Sequence, residues 1–240
     1  MELDLSDWIP QDIYLTGDFE GTTSNIAMKL LKPGDTVLDV GANIGWFSLL
    51  FAQCVGKSGS VLAYEPMPAI ASKLKRNLEL NQADNVSVSN LALSDHSGIA
   101  RFYAGHESNT GTSSLREPNN CAGSIEVQLA PFDTIFEDRS KVTLVKIDVE
   151  GAELQVLRGM EKLLRIAQPI LLLEVTDKFL RDMGDSAESM LQFVAQLGYV
   201  CYVIGDGKVT LLEKTQMELP WQWNALLTPG YLFGDGEIFS

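Results

Sequence analysis

Short apolar runs alternate with amphipathic helical patterns along most of this chain. Runs rich in β-branched and apolar residues, which predict buried strands, occupy residues 36–40, 60–64, 86–90, 142–147 and 170–173. Apolar positions recur at helical spacing in residues 44–55, 69–81 and 150–164, and again in the segment that ends at Gly198. Strands that alternate with helices indicate an α/β fold with a mostly parallel sheet.

Two parts of the chain interrupt this alternation. Residues 99–103 and 124–129 are predicted strands, and a long loop at residues 105–123, rich in Asn, Ser, Thr and Gly, joins them. Asp-Gly at positions 206–207 lies between two apolar runs, which is a strong hairpin signal. The parallel sheet is therefore predicted to end in an antiparallel pair. Periodicity assigns no element to residues 214–240.

Composition and charge limit the classes of function that the chain can have. The chain of 240 residues carries 18 basic and 32 acidic residues, a net charge of −14. Binding to nucleic acid requires a basic surface, so we do not expect that partner. No apolar run is long enough to span a membrane, and the acidic first residues do not resemble a signal peptide. The three cysteines fit neither a disulfide framework nor a zinc site, which favours a cytoplasmic location.

A glycine-rich turn follows the first predicted strand. Gly41 and Gly45 separate that strand from the helical pattern that begins near Trp46. Glu65 ends the next apolar run, and an acidic residue about 20 positions beyond such a turn reaches the hydroxyls of a ribose. The three residues together predict a site for a nucleoside-like ligand.

Acidic residues lie at or near four of the predicted strand ends, namely Asp39, Glu65, Asp148 and Glu174. In an open α/β sheet these ends converge on the ligand crevice. The carboxylates would repel one another without a counter-charge, so we expect a bound cation or a cationic cofactor. Glu150 and Glu153 follow Asp148 with the i,i+3 spacing of neighbours on a helix.

The motifs DVGANIG at residues 39–45, YEP at 64–66 and KIDVEGAE at 146–153 resemble those of S-adenosylmethionine-dependent methyltransferases, and more narrowly the FkbM methyltransferase family. The resemblance covers roughly residues 17–175. It implies a class I methyltransferase (Rossmann-like) fold, with a seven-stranded, mostly parallel sheet that has one antiparallel strand and helices on both faces. It also implies a single domain, whose expected parts are an N-terminal cap (1–34), a cofactor-binding half (35–98), an insertion between the third and fourth core strands (99–132), a second half (133–214) and a C-terminal tail (215–240).

The resemblance assigns roles by position. S-adenosyl-L-methionine, which yields S-adenosyl-L-homocysteine, would be held at its ribose by Glu65 and at its adenine by Leu91 and Ala92, while Asp148 would face its methionine end. The sulfonium is a cation, so it supplies the counter-charge that the acidic strand ends lack. The full set of expected cofactor-binding residues is Glu20, Asp39, Gly41, Asn43, Gly45, Glu65, Pro66, Leu91, Ala92 and Asp148.

The expected reaction is O-methylation of a hydroxyl on a small natural product or a sugar. An alcohol must lose its proton as it attacks, and the candidate catalytic residues are Asp148, Glu150, Glu153, Glu174 and His106. A divalent metal held by Asp148, Glu150 and Glu174 is a further option, because carboxylates suit magnesium or calcium. Whether the chain forms a homodimer stays open.

Two other function classes compete with this one. The first is a non-catalytic cofactor-binding module of the same fold. The second is a nicotinamide-dependent oxidoreductase, although the turn has the pattern Gly-x-x-x-Gly instead of Gly-x-Gly-x-x-Gly.

Overall fold

The structure, a computed structural model, describes residues 1–104, 113–116, 123–138, 141–205, 207–212 and 220–230. Its helices are α1 (Trp8–Thr16), α2 (Gly21–Leu30), α3 (Trp46–Val55), α4 (Pro68–Leu80), α5 (Phe132–Ile135), α6 (Glu153–Gly159), α7 (Glu161–Ile166), α8 (Asp177–Asp182) and α9 (Ala187–Gln196). Its strands are β1 (Thr36–Val40), β2 (Ser60–Tyr64), β3 (Val86–Ser89), β4 (Ala92–Leu93), β5 (Gly98–Ala104), β6 (Gly123–Ala130), β7 (Val142–Ile147), β8 (Ile170–Thr176), β9 (Tyr199–Gly205), β10 (Lys208–Leu211) and β11 (Gln222–Pro229).

The main sheet has eight strands in the order β10–β9–β11–β8–β7–β1–β2–β3. The five strands from β8 to β3 pair in parallel. β1 is buried along its whole length, as is typical of a central parallel strand covered on both faces. The predicted bounds of β1, β2 and β7 are confirmed, and the α/β fold class with them.

The C-terminal part of the sheet differs from the prediction of seven strands with one reversed. β11 lies between β8 and β9 and runs antiparallel to both. It comes from the segment to which periodicity assigned no element and which was expected to be a tail. The predicted hairpin at residues 205–208 is present, but its second strand, β10, adds an eighth strand at the sheet edge. Two strands, β11 and β10, are therefore reversed.

The predicted insertion forms a small sheet of its own. β5 and β6 make an antiparallel pair, and the two-residue strand β4 pairs with β6 in parallel. Ser114 forms a bridge with Tyr103 and so attaches the described part of the loop to this sheet. The rest of the predicted loop lies outside the described residues.

Helices cover both faces of the main sheet, as expected. One face packs against α6 and α9 through Leu154, Leu157 and Met190. The other face packs against α2 and α3 through Ile26 and Phe51. In the part of the chain that the structure describes, no helix combines the length and apolar character needed to cross a bilayer.

Three local predictions were wrong. The helix expected at residues 150–164 begins only at Glu153, because Glu150 has a left-handed backbone with φ of 57°, and it breaks at Met160, whose backbone leaves the helical range with φ of −121°. Asp185 and Glu188 have the spacing of a capping box, which predicts a helix cap at Asp185, but the observed cap of α9 is Ser186, whose hydroxyl accepts from the backbone N–H of Ser189. Glu174 lies inside β8 and does not end it.

Candidate functional site

A cavity of about 720 Å³ opens at the carboxyl ends of β1, β2, β7 and β8. Its walls include the turn after β1, the residues that follow β2 and β7, and the first residues of β11. This is where ligands bind in open α/β sheets. The cavity therefore lies where the predicted acidic strand ends converge.

The turn after β1 approaches the turn after β7 very closely. Gly41 has φ of 82°, and a Cβ atom placed on it would overlap the carbonyl oxygen of Asp148. The backbone N–H of Asp148 donates to the carbonyl of Val40 at 3.0 Å, so the two turns are tied together. Gly41 thus brings two segments of the cavity wall into contact, which no residue with a side chain allows.

The Glu65 side chain is fixed by two backbone donors. Its Oε2 accepts from Asn43 N at 3.0 Å, and its Oε1 accepts from Met67 N at 2.9 Å. Burial raises the pKa of Glu65 to about 7, although both N–H bonds oppose the shift. Asn43 has a left-handed backbone with φ of 49°, and in this conformation its N–H points at the Glu65 carboxylate. The carboxylate lines the cavity with both oxygens oriented and with lone pairs left for hydroxyl donors.

A buried lysine stands among the acidic residues. Lys146 is directly opposite Asp39 in the register of β7 and β1, and its Nζ donates to Asp148 Oδ2 at 3.0 Å. The Nζ also lies 4.5 Å from the ring centroid of Phe47. Burial lowers the pKa of Lys146, but the carboxylates of Asp148, Glu20, Asp39 and Glu174 raise it by more. Lys146 therefore stays charged, and it supplies part of the counter-charge that was expected from a ligand.

Asp39 is completely buried beside this lysine. Its Oδ2 accepts from the hydroxyl of Ser48 at 2.5 Å, whereas its Oδ1 has no hydrogen-bond partner among the described residues. Burial raises the pKa of Asp39, and Lys146 opposes the shift. Asp39 is thus buried within the cavity wall, where its charge acts on Lys146.

Three further carboxylates meet on the other side of Lys146. One oxygen from each of Glu20, Asp148 and Glu174 lies within 4.8 Å of those from the other two. Repulsion from Asp148, together with burial, raises the pKa of Glu174 to about 9. Burial also raises the pKa of Glu20. When its members are ionised, this cluster, which we call the carboxylate triad, carries more negative charge than Lys146 balances, and the raised pKa values reflect that excess.

Glu150 and Glu153, expected to be neighbours on one helix, have different surroundings. Glu150 lines the cavity, and burial and repulsion from Asp148 raise its pKa to about 8, against the opposing charge of Arg116. Glu153 does not line it; its Oε1 accepts from Gly151 N at 3.0 Å, and burial raises its pKa to about 7. Arg116 stacks over the ring of Phe179, 4.0 Å from its centroid, and Phe179 forms the adjacent cavity wall.

The mouth of the cavity is aromatic. Trp8 and Trp221 line it although they are 54% and 74% exposed, and Phe19 packs edge-on against Trp8. Trp223, two residues after Trp221, belongs to the buried core and also borders the cavity. A partly exposed aromatic rim suits an organic ligand with an apolar surface.

Most of the sequence-predicted residues lie together at this cavity. Those that line it are Glu20, Asp39, Gly41, Asn43, Glu65, Pro66, Leu91, Ala92, Asp148, Glu150 and Glu174. Gly45 does not, because it packs against α4, where a Cβ would overlap Leu74 Cδ1. For a metal, the observed grouping contains Glu20 in the place expected for Glu150. His106 lies outside the described residues.

Several residues of the site were missed by sequence reasoning. Lys146 carries a usable signal, since it is a charged residue inside a mostly apolar strand, two residues before Asp148. Asn224 and Gln222 had no such signal, because β11 itself was not predicted. Tertiary packing alone brings Trp8 to the cavity and places Arg116 over Phe179, a residue of the cavity wall.

Comparison with known proteins agrees with this geometry. The model of the Methyltransferase FkbM domain family matches residues 39–201. The 31-O-demethyl-FK506 methyltransferase FkbM of Streptomyces tacrolimicus is 29% identical over 161 residues, which cover 55% of this chain and 61% of that protein. The hexuronic acid methyltransferase AglP of Haloferax volcanii is 30% identical over 159 residues, which cover 65% of this chain and 63% of that protein. Each alignment thus spans less than two thirds of the relative.

Solved structures share the fold. The methyltransferase FkbM of Methylobacillus flagellatus KT superposes with a TM-score of 0.55 at 14% identity, covering 90% of this chain and 52% of that one. The predicted class I methyltransferase fold is confirmed by this likeness, with the strand count corrected as described above.

Proposed function

This chain belongs to the FkbM methyltransferase domain family, and we propose that it transfers a methyl group from S-adenosylmethionine to a hydroxyl of a small natural product or a sugar. S-adenosylmethionine supplies an electrophilic methyl group on a positively charged sulfur. The task left to the protein is to bind this donor, align the acceptor and accept a proton.

The observation that carries the proposal is the orientation of Glu65. Its two oxygens are held by the backbone N–H groups of Asn43 and Met67 at the edge of the cavity. A carboxylate fixed in this way can accept two adjacent hydroxyl donors, which is the hydrogen-bonding pattern of a ribose. Leu91 and Ala92 line the same cavity and offer an apolar surface for a base.

The charge of the cavity supports a cationic donor over a dinucleotide. Among the described residues, seven carboxylates line it, those of Asp12, Glu20, Asp39, Glu65, Asp148, Glu150 and Glu174. A pyrophosphate would be repelled by these groups, whereas a sulfonium is attracted. This difference argues against the nicotinamide-dependent oxidoreductase.

The hydroxyl acceptor is proposed from two relatives, whose names give 31-O-demethyl-FK506 and a hexuronic acid as their substrates. We infer that its proton passes to the ionised form of Glu150 or Glu174, because these two candidate bases line the cavity and Glu153 does not. Trp8 and Trp221 at the mouth would pack against the acceptor.

Calorimetry and a transfer assay test the proposal together. The chain should bind S-adenosylhomocysteine and should not bind NAD, and it should move a labelled methyl group from S-adenosylmethionine to a member of a panel of polyols, sugars and natural-product alcohols. Tight binding of NAD without binding of S-adenosylhomocysteine would overturn the proposal. Binding of S-adenosylhomocysteine with no transfer to any hydroxyl compound, and no hydrolysis product, would favour the non-catalytic binding module.

A further inference from the structure

The three carboxylates of the triad are each oriented by a side-chain donor. Asn224 Nδ2 donates to Glu20 Oε2 at 3.3 Å, and Lys146 Nζ donates to Asp148 Oδ2 at 3.0 Å. The amide of Gln222 donates to Glu174 Oε1. Carboxylates that bind metals are commonly fixed in this way by outer hydrogen bonds. The donors come from two strands, β7 and β11, so the arrangement depends on the folded sheet.

One oxygen of the triad is both buried and unpaired. Glu20 Oε1 has no hydrogen bond of normal geometry among the described residues, although the Thr23 side chain lies close enough to interact with this carboxylate. Glu20 lines the cavity, and its backbone has φ of 49° at the start of α2. A buried acceptor without a donor costs free energy unless a ligand satisfies it. The strained backbone places this acceptor beside Asp148 and Glu174.

We propose that Glu20, Asp148 and Glu174 bind one divalent cation that prefers oxygen ligands, namely Mg²⁺, Mn²⁺ or Ca²⁺. One oxygen from each residue lies within 4.8 Å of the other two, so a small inward movement of the side chains would bring all three oxygens around a single ion. All three ligands are carboxylates, which are hard oxygen donors of the kind that suits these ions.

Lys146 does not remove the need for a cation. It has one ammonium group, which donates to Asp148, while Asp39 lies opposite it in the neighbouring strand. Among the described residues, Glu20 and Glu174 therefore lack an equal positive charge when they are ionised, as metal binding would require. A divalent ion would neutralise this excess, and it would also satisfy Glu20 Oε1.

Electron paramagnetic resonance of Mn²⁺ tests the inference on the full chain after treatment with a chelator. We expect one Mn²⁺ to bind per chain, and Mg²⁺ or Ca²⁺ to displace it. Glu20→Gln and Glu174→Gln should each weaken Mn²⁺ binding by about tenfold or more, and Asn224→Ala, which removes an outer hydrogen bond, by about 10–100-fold. Glu126→Gln is the matched control, because Glu126 is exposed on the second sheet; it should bind Mn²⁺ normally.

The inference is wrong if Mn²⁺ shows no saturable binding, or if both Glu20→Gln and Glu174→Gln bind it as the unaltered chain does while they retain its thermal unfolding profile. It is also wrong if the triad serves the sulfonium instead. In that case Mn²⁺ would not bind, and Glu20→Gln would weaken S-adenosylmethionine more than the uncharged S-adenosylhomocysteine.

The outcome is separable from the proposed methyl transfer. Mn²⁺ binding is measured without S-adenosylmethionine, so a chain that binds Mn²⁺ but not S-adenosylhomocysteine would keep the metal site and lose the proposed function. If the chain binds no Mn²⁺ and methyl transfer continues unchanged in a chelator, the proposed function stands and the metal site is wrong.

Discussion

Lys146 Nζ and Asp148 Oδ2 lie 3.0 Å apart, and only Ile147 separates the two residues along the chain. The lysine side chain is 5% exposed and the aspartate side chain 23%. The ion pair therefore joins a buried strand position to the cavity wall. Lys146 is therefore a cation of the protein itself at the cavity. On the sequence alone, a ligand was expected to supply this counter-charge.

Lys146→Met should lower the free energy of unfolding by roughly 3 kcal/mol, because removal of one partner leaves buried carboxylates without their cation. Urea denaturation at pH 7 measures this change. Lys141→Met is the matched control near the start of the same strand. Lys141 is 72% exposed and pairs with Asp138, so its loss should have a far smaller effect on stability, because solvent screens a surface ion pair. Equal effects of the two substitutions would contradict a buried structural cation.

Gly41→Ala should destabilise the fold and remove cofactor binding. Alanine at φ of 82° costs about 1–2 kcal/mol by itself, and the added Cβ would also collide with the carbonyl oxygen of Asp148. Gly184→Ala isolates the first cost, because Gly184 has φ of 89° and no described atom lies within 4 Å of the place where a Cβ would sit. Chemical denaturation of the two variants should therefore show a clearly larger loss for Gly41→Ala. A similar loss in both would mean that the two turns can move apart.

The central strands could be predicted because the local sequence of each one is enough to identify it as a buried strand. Residues 36–40, 60–64 and 142–147 are short apolar runs with turn signals on either side, and a strand buried on both faces needs nothing more. The motif residues Gly41, Glu65 and Asp148 follow these strands directly. Their convergence on one cavity is thus a consequence of parallel pairing, which the alternation of strands and helices already indicates.

The rest depends on contacts that are distant in sequence. β11 is inserted between β8 and β9, so its neighbours are about 20 or more residues away along the chain. Asn224 and Gln222 acquire their contacts to Glu20 and Glu174 only through this insertion. Glu150 departs from the predicted helix because its backbone is left-handed, a conformation that apolar periodicity does not detect.

Glu65→Ala should weaken binding of S-adenosylhomocysteine by about 1–3 kcal/mol, the cost of polar groups left without a partner. The ribose hydroxyls would lose their acceptor, and the N–H groups of Asn43 and Met67 would lose theirs. Isothermal titration calorimetry measures the affinity, and Glu79→Gln, a change of an exposed glutamate on α4, is the control. Unchanged affinity in a folded Glu65→Ala variant would remove Glu65 from the ribose site.

The affinity for S-adenosylhomocysteine should rise with pH and level off above about pH 7. Burial raises the pKa of Glu65 to about 7, and hydroxyl donors bind the ionised carboxylate, so protonation competes with binding. Well below that pKa the affinity should fall by about tenfold for each pH unit, with release of a proton on binding. Calorimetry across the pH range, in buffers with different ionisation enthalpies, measures both effects.

The control is Glu65→Gln, which removes the titrating carboxylate. It is needed because Asp39 and Asp148 lie close enough to raise the pKa of Glu65 further. In that variant the rise should disappear, and a pH profile that persists unchanged would assign the titration to another carboxylate of the cavity.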